Sequence, residues 1–398
     1  MNRVAVVLIH IGLIYFAATL SWQVKWLPTA LGMMIAGLGW VISLRYSKFK
    51  LPPALWLPII LYLLLIAGLA NTENTRKANQ IISLSVPLLA FPLLFGLQQS
   101  RAISRLLLNI FIGVSILSAI CTLGYLSYML MLHPEGFTYR HYSPFANNPS
   151  HYLAMYFVFT GGCLTLEANR TKKPLMAALA GAFLLAVALL MNARIQYPLV
   201  GIILIWWAVK WLKHHPEKKW WVYGVSSFLL IIFFAFPENR RRLQETRDEF
   251  RNLANIDNSK QKNHRFYIWE HAMEVIEESP WIGTGTGNAN DKLRIAYQKS
   301  DAQFWDGEKL YYLRDIGYNY HNQFLQSWAQ NGIVALLCLL VILIVLWRNT
   351  SIPSRILALT LLFSMLTESI LERQAGVFFI SFIYCIVMTI PIKDEDIK

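Results

Sequence analysis

Apolar residues run along this chain in long blocks, broken by short polar connections, with little short-range amphipathic alternation. Crossing about 30 Å of hydrocarbon takes about 20 apolar residues in a helix. Blocks of that order lie at 4–20, 26–44, 53–70, 80–97, 105–131, 150–166, 175–191, 196–212, 220–237, 321–347, 354–370 and 374–392, and none has a charged residue near its centre. The pattern predicts an all-α integral membrane protein of about 12 transmembrane helices. Helices 1–9 fall in residues 1–237, a single long loop in 238–320, and helices 10–12 with a tail in 321–398. Arg3 precedes the first block, and Ser21-Trp22-Gln23-Val24-Lys25 follows it with no small-residue cleavage site. That block therefore reads as an uncleaved first helix rather than a signal peptide. Pro87 and Pro92 predict a kink in the fourth block.

The long loop is densely charged but nearly neutral, with 13 Lys/Arg and 14 Asp/Glu. Within it, Phe266, Trp269, Met273 and Ile276 recur at helical spacing, which predicts an amphipathic helix over 264–278 with that face packed on the membrane domain. Ser279-Pro280-Trp281 ends the helix. Gly283, Gly285 and Gly287 follow in neither phosphate-loop nor dinucleotide-fold spacing, so a turn is the reading there. A second polar stretch, 133–150, is rich in aromatics, Asn and Pro and reads as an ordered loop at the membrane surface.

Composition agrees with the blocks: 56% hydrophobic and 15% charged residues, against about 25% charged in soluble proteins, and a mean hydropathy of +0.41. The net charge of +13 is mostly an orientation signal. With a cytoplasmic N-terminus, the inner short loops carry 17 Lys/Arg and the outer ones only six, Lys25, Arg76, Lys77, Arg140, Arg194 and Arg373. The positive-inside rule then puts both termini in the cytoplasm and residues 238–320 outside. Nucleic-acid binding is not needed to explain the charge. Cys121, Cys163, Cys338 and Cys385 lie within apolar blocks without paired spacing, against a disulfide framework or a zinc site. Asp394-Glu395-Asp396 resembles an Asp-x-Asp metal motif, but its place in a terminal tail favours solvated charge.

Three outer-face residues are candidates for chemistry. Arg194 stands in Asn192-Ala-Arg-Ile-Gln-Tyr-Pro198, a short turn where a cation runs against the positive-inside rule; either it snorkels to headgroups or it meets an anionic ligand. Arg265 begins the amphipathic helix and is either a solvated helix-end charge or a second anion contact. His321, where the charged loop enters the tenth block, is either a polar end-cap or a general base, since an imidazole titrates near neutrality. The run Arg240-Arg241-Arg242 reads as a surface patch.

Together these features resemble the O-antigen ligase and O-antigen polymerase superfamily of bacterial envelope glycosyltransferases. The matching pieces, in order, are Asn192-Ala-Arg194, Arg265-x-x-x-Trp269, Pro280-x-x-Gly283-x-Gly285, and His321-Asn322-x-x-Leu325 with Gly332 beyond. They cover roughly residues 140–335. Asn192-Ala193 stands where the family usually has Ser before the arginine. The resemblance implies a glycosyltransferase C-like membrane fold with short helices in one long periplasmic loop. It also implies a multi-pass enzyme of the bacterial inner membrane that moves a glycan from undecaprenyl pyrophosphate to an acceptor hydroxyl, such as that of lipid A core, with inversion. Arg194 and Arg265 would stabilise the pyrophosphate leaving group, and His321 would activate the acceptor. Arg140, His141 and Asn148 are second-rank candidates for donor binding, and Glu368 and Arg373 weaker still. Neither metal nor cofactor is expected. A single long loop without an appended C-terminal domain favours the ligase; an O-antigen polymerase is the near alternative. A lipid-linked oligosaccharide flippase is the more distant one. Transporters place ionisable groups at the bilayer midplane, often within inverted repeats; here such groups cluster at the outer rim, and no inverted repeat is visible.

Overall fold

The computed structural model describes residues 3–22, 26–43, 51–98, 101–132, 144, 150–191, 193–254, 264–299, 303–305, 310–315 and 317–390. Among them the α-helices run α1 (Arg3–Thr19), α2 (Trp26–Ser43), α3 (Trp56–Ala67), α4 (Thr75–Ser85), α5 (Pro87–Gln98), α6 (Arg101–Leu132), α7 (Ser150–Leu166) and α8 (Pro174–Leu190). They continue as α9 (Gln196–His214), α10 (Lys219–Ala235), α11 (Pro237–Ala254), α12 (His264–Glu278), α13 (Ala289–Gln298), α14 (Gln323–Arg348), α15 (Ile352–Thr367) and α16 (Gln374–Thr389). Every apolar block contains helix, and the fourth divides at Val86, just before Pro87, into α4 and α5. One short antiparallel hairpin, β1 (Gln303–Trp305) with β2 (Leu310–Tyr312), was not expected from the sequence.

By length and composition, the stretches Pro53–Asn71, Thr75–Leu97, Ala102–Leu132 and Gln323–Arg348 can each cross a membrane, and α10 with the start of α11 makes a fifth if counted as one bent span. Helices α1, α8, α15, α16 and Thr29–Ser43 of α2 are apolar but shorter. The chain is an all-α, multi-pass membrane protein. Its centre is formed by α7 and α16, whose residues 152–163 and 375–387 are buried on every side. A helix that is apolar all round is one surrounded by protein. Around them, Phe16 of α1 meets Phe91 of α5 at 4.7 Å and Phe382 of α16 at 4.8 Å between ring centroids. Tyr156 of α7 stacks on Phe379 at 4.8 Å and donates its hydroxyl to the Ala375 carbonyl at 2.9 Å. Small residues bring helices closest: a Cβ on Gly12 would come within 2.5 Å of the Gly32 carbonyl of α2, the contact that replaces the hydrophobic effect between helices in lipid. Outward faces carry exposed Leu117, Ile120, Ile205, Val209, Leu230 and Ile231, a surface suited to acyl chains.

Above this bundle, α12 and α13 pack on the first half of α14. The buried face of α12 is Ile268, Ala272, Val275 and Ile276, which corrects the expected stripe of Phe266, Trp269, Met273 and Ile276. Met273 is 37% exposed, and Phe266 and Trp269 lie at the margin with rings 5.8 Å apart. The small Ala272 allows the close approach, so the bulkier residues are turned aside. The glycine-rich stretch is a turn, as expected, and it is also a clamp. Thr284 N–H and Gly285 N–H donate to the Ala329 and Gln330 carbonyls of α14 at 2.8 and 3.0 Å, and Thr286 donates from its hydroxyl to the Leu65 carbonyl of α3 at 2.7 Å. Gly283 has φ 75°, and a Cβ there would come within 2.5 Å of the Gln330 carbonyl group. Opposite, α14 breaks at Asn331 and Gly332.

Candidate active site

The α15 helix ends at Thr367 because the chain turns extended at Glu368, and residues 368–373 link it to α16. Glu368 gathers two residues far away in sequence. Its Oε1 lies 3.3 Å from Nη2 of Arg265, the second residue of α12. Its Oε2 lies 3.2 Å from Nδ1 of His321, just ahead of α14. All three side chains are partly shielded, with 20–30% of their area exposed.

Further hydrogen bonds hold the His321 backbone and its surroundings. Glu372, in the same connection, accepts from Asn290 Nδ2 of α13 and Asn319 Nδ2, both at 2.7 Å. Asn319 Oδ1 in turn accepts the His321 backbone N–H at 3.2 Å. On the other side Asn322 caps α14, accepting from Phe324 N–H at 2.9 Å and Leu325 N–H at 3.1 Å, while its Nδ2 donates to the Leu366 carbonyl at 3.2 Å. Between these anchors His321 adopts φ 43°, the one positive φ among described non-glycine residues. Left-handed backbone in such a residue costs of order 1–3 kcal/mol and persists where surroundings over-determine it, commonly at functional sites.

Burial pushes the Glu368 carboxyl up, but the hydrogen bond from His321 and the electrostatic pull of His151, His321 and Arg265 outweigh it, and the group falls from 4.5 to about 2. It is a carboxylate at any physiological pH. A carboxylate on Nδ1 favours the tautomer with the proton at Nδ1, which puts the ring's basic lone pair on Nε2. His151, the second residue of α7, lies within electrostatic reach of Glu368, Arg373, His321 and Arg265. No sequence motif singles it out; its signal is a histidine at the start of an apolar block. Glu368 carries the same weak signal, since a carboxylate at a span's edge is ordinary until its partners are known.

Arg194 is held differently. It lies between α8 and α9, where Nη2 meets Glu245 Oε2 at 2.5 Å and Nη1 meets the Thr246 hydroxyl at 3.4 Å, both on α11. Gln196, two residues on, donates to the Ser364 hydroxyl at 3.0 Å and so ties this turn to the end of α15. The described contacts thus bring Arg265 and His321 onto one carboxylate and seat Arg194 on α11. Arg373 is exposed at the start of α16. Arg140, His141, Asn148 and the acidic tail lie outside the described residues. The family model described as O-antigen ligase matches residues 177–340, which include Arg194, Arg265 and His321 but neither His151 nor Glu368. Compared with curated proteins, the chain finds no match.

Proposed function

We propose that this chain, which belongs to the O-antigen ligase family over residues 177–340, transfers a glycan from undecaprenyl pyrophosphate to a hydroxyl of lipid A core, at the periplasmic face of the inner membrane. The observation that carries the reading is the bond between His321 Nδ1 and Glu368. An imidazole held in this way takes the acceptor's proton at Nε2 as its oxygen attacks the anomeric carbon. Attack in line with the departing pyrophosphate inverts that carbon. Negative charge grows on the leaving group, and the guanidinium groups of Arg265 and Arg194 are suited to it, since planar forks meet phosphate oxygens in pairs. Arg194 then exchanges Glu245 for phosphate when donor binds. In this reading the chain has twelve spans, both termini are cytoplasmic, and residues 238–320 are periplasmic.

Purified protein in vesicles, given lipid-linked glycan and lipid A core in excess EDTA, is expected to join the two. Activity abolished by EDTA and restored by a divalent ion would overturn the arginine-based mechanism. The acceptor is tested in cells: a deletion strain accumulating full-length polymer on the carrier lipid supports a ligase, whereas single repeat units indicate a polymerase.

A further inference from the structure

The tight turn that follows α12 presents two large apolar side chains to the outside. Trp281 is 74% and Ile282 63% exposed, yet the backbone around them is firmly held. Gly283 N–H donates to the Ser279 carbonyl at 3.0 Å, Trp328 Nε1 donates to the Pro280 carbonyl at 2.9 Å, and Ile333 N–H donates to the same carbonyl at 3.0 Å. The fit is close enough that a Cβ on Gly332 would strike the Trp281 carbonyl. A rigid turn with its apolar pair facing outward keeps that surface uncovered by its own fold, which in water favours a partner.

The neighbouring surface says which partner. Beyond the break at Gly332, α14 carries Val334, Leu337, Val341, Ile344 and Trp347 along one exposed face, each at least 41% exposed. Before the break, Gln323, Gln326, Gln330 and Asn331 are buried within the protein. Only the later part of α14, from 333 to 348, is therefore built to meet lipid, and at 1.5 Å per residue it covers ~24 Å, short of the ~30 Å hydrocarbon core. Trp281 and Ile282 continue the stripe at that short end, as Trp347 ends it at the other, and tryptophan favours the boundary between acyl chains and headgroups. We propose that Trp281 and Ile282 insert into the bilayer as a wedge. They tie the α12–α13 layer, and with it Arg265, to the height of the membrane surface.

The test is label depth in the full-length protein, reconstituted in phosphatidylethanolamine–phosphatidylglycerol vesicles. Cys121, the exposed cysteine among the four, is replaced by serine, and a bimane is attached through Trp281→Cys or, separately, Ile282→Cys. Lys292→Cys on α13 serves as the aqueous reference. The wedge predicts that labels at 281 and 282 lose most of their fluorescence to lipid-borne nitroxide and little to iodide, with the reverse at 292. Iodide quenching at 281 and 282 equal to that at 292 would overturn the proposal. So would shielding from both quenchers, which would mean that protein covers the turn.

Discussion

Two carboxylates, each flanked by basic groups, sit at opposite ends of α7, and only one of them holds a histidine ring. Glu167, at the C-terminal end, stands 3.6 Å from Arg105 and 3.7 Å from Arg170, whose side chains are about 40% exposed. Such loose pairs contribute about 0–1 kcal/mol each, and guanidinium groups stay charged at any useful pH. Glu368, grouped electrostatically with His151 at the other end, bonds a titratable ring at 3.2 Å. That ring has left-handed backbone, and Glu372 and Asn319 brace it. Charge counting makes the two ends alike. Hydrogen-bonded support and local strain separate them; under the proposed mechanism a ring that presents one nitrogen to an acceptor needs its orientation fixed, whereas a loosely paired surface cation does not.

The largest effect expected from this contrast is at His321. General-base assistance is typically worth about 10²–10⁴-fold, so His321→Ala should lower turnover by that order while donor binding holds, and Arg105→Ala should leave turnover near normal. Equal losses for His321→Ala and Arg105→Ala would erase the distinction between the two ends.

Next come the arginines. Lysine keeps the charge but loses the planar fork, so Arg265→Lys and Arg194→Lys should be nearly as damaging as the alanine variants and should weaken donor binding as well. Near-normal turnover in Arg194→Lys would return that residue to a headgroup contact.

Glu368→Gln comes third. Loss of a partner that orients a ligand histidine typically costs about 10–100-fold, and a similar drop in turnover is expected here, with none for Glu167→Gln. Stability sharpens the point. Because the folded-state value of Glu368 is depressed from 4.5 to about 2, the carboxylate stabilises the fold above pH 4.5, and this contribution is lost as pH falls towards 2. Unfolding curves across that window should show a smaller loss in Glu368→Gln than in wild type. A smaller effect belongs to Glu245→Gln, which removes the carboxylate that competes with phosphate for Arg194; donor binding should tighten, and unchanged binding would dissociate Glu245 from the site.

Much of this architecture was legible in the sequence because hydrocarbon thickness sets block length and proline sets the break at Val86. The helix His264–Glu278 was predicted to the residue, yet its buried face was not. Periodicity ranks large apolar residues, while packing against α14 selected the small Ala272. Arg265 and His321 were named from short motifs, but what joins them, Glu368, lies about a hundred residues from one and nearly fifty from the other. Pairing across such separations is decided by tertiary packing of α15 and α16, and no local spacing announces it.

The account stands most directly on whether Glu368 acts through His321, and a double-mutant cycle of transfer rates in vesicles measures that. If it does, adding Glu368→Gln to His321→Ala costs nothing further, and the double variant turns over as fast as His321→Ala alone. Losses that multiply, so that the double variant is slower by the full Glu368→Gln factor, would show two independent roles and contradict the carboxylate-oriented base.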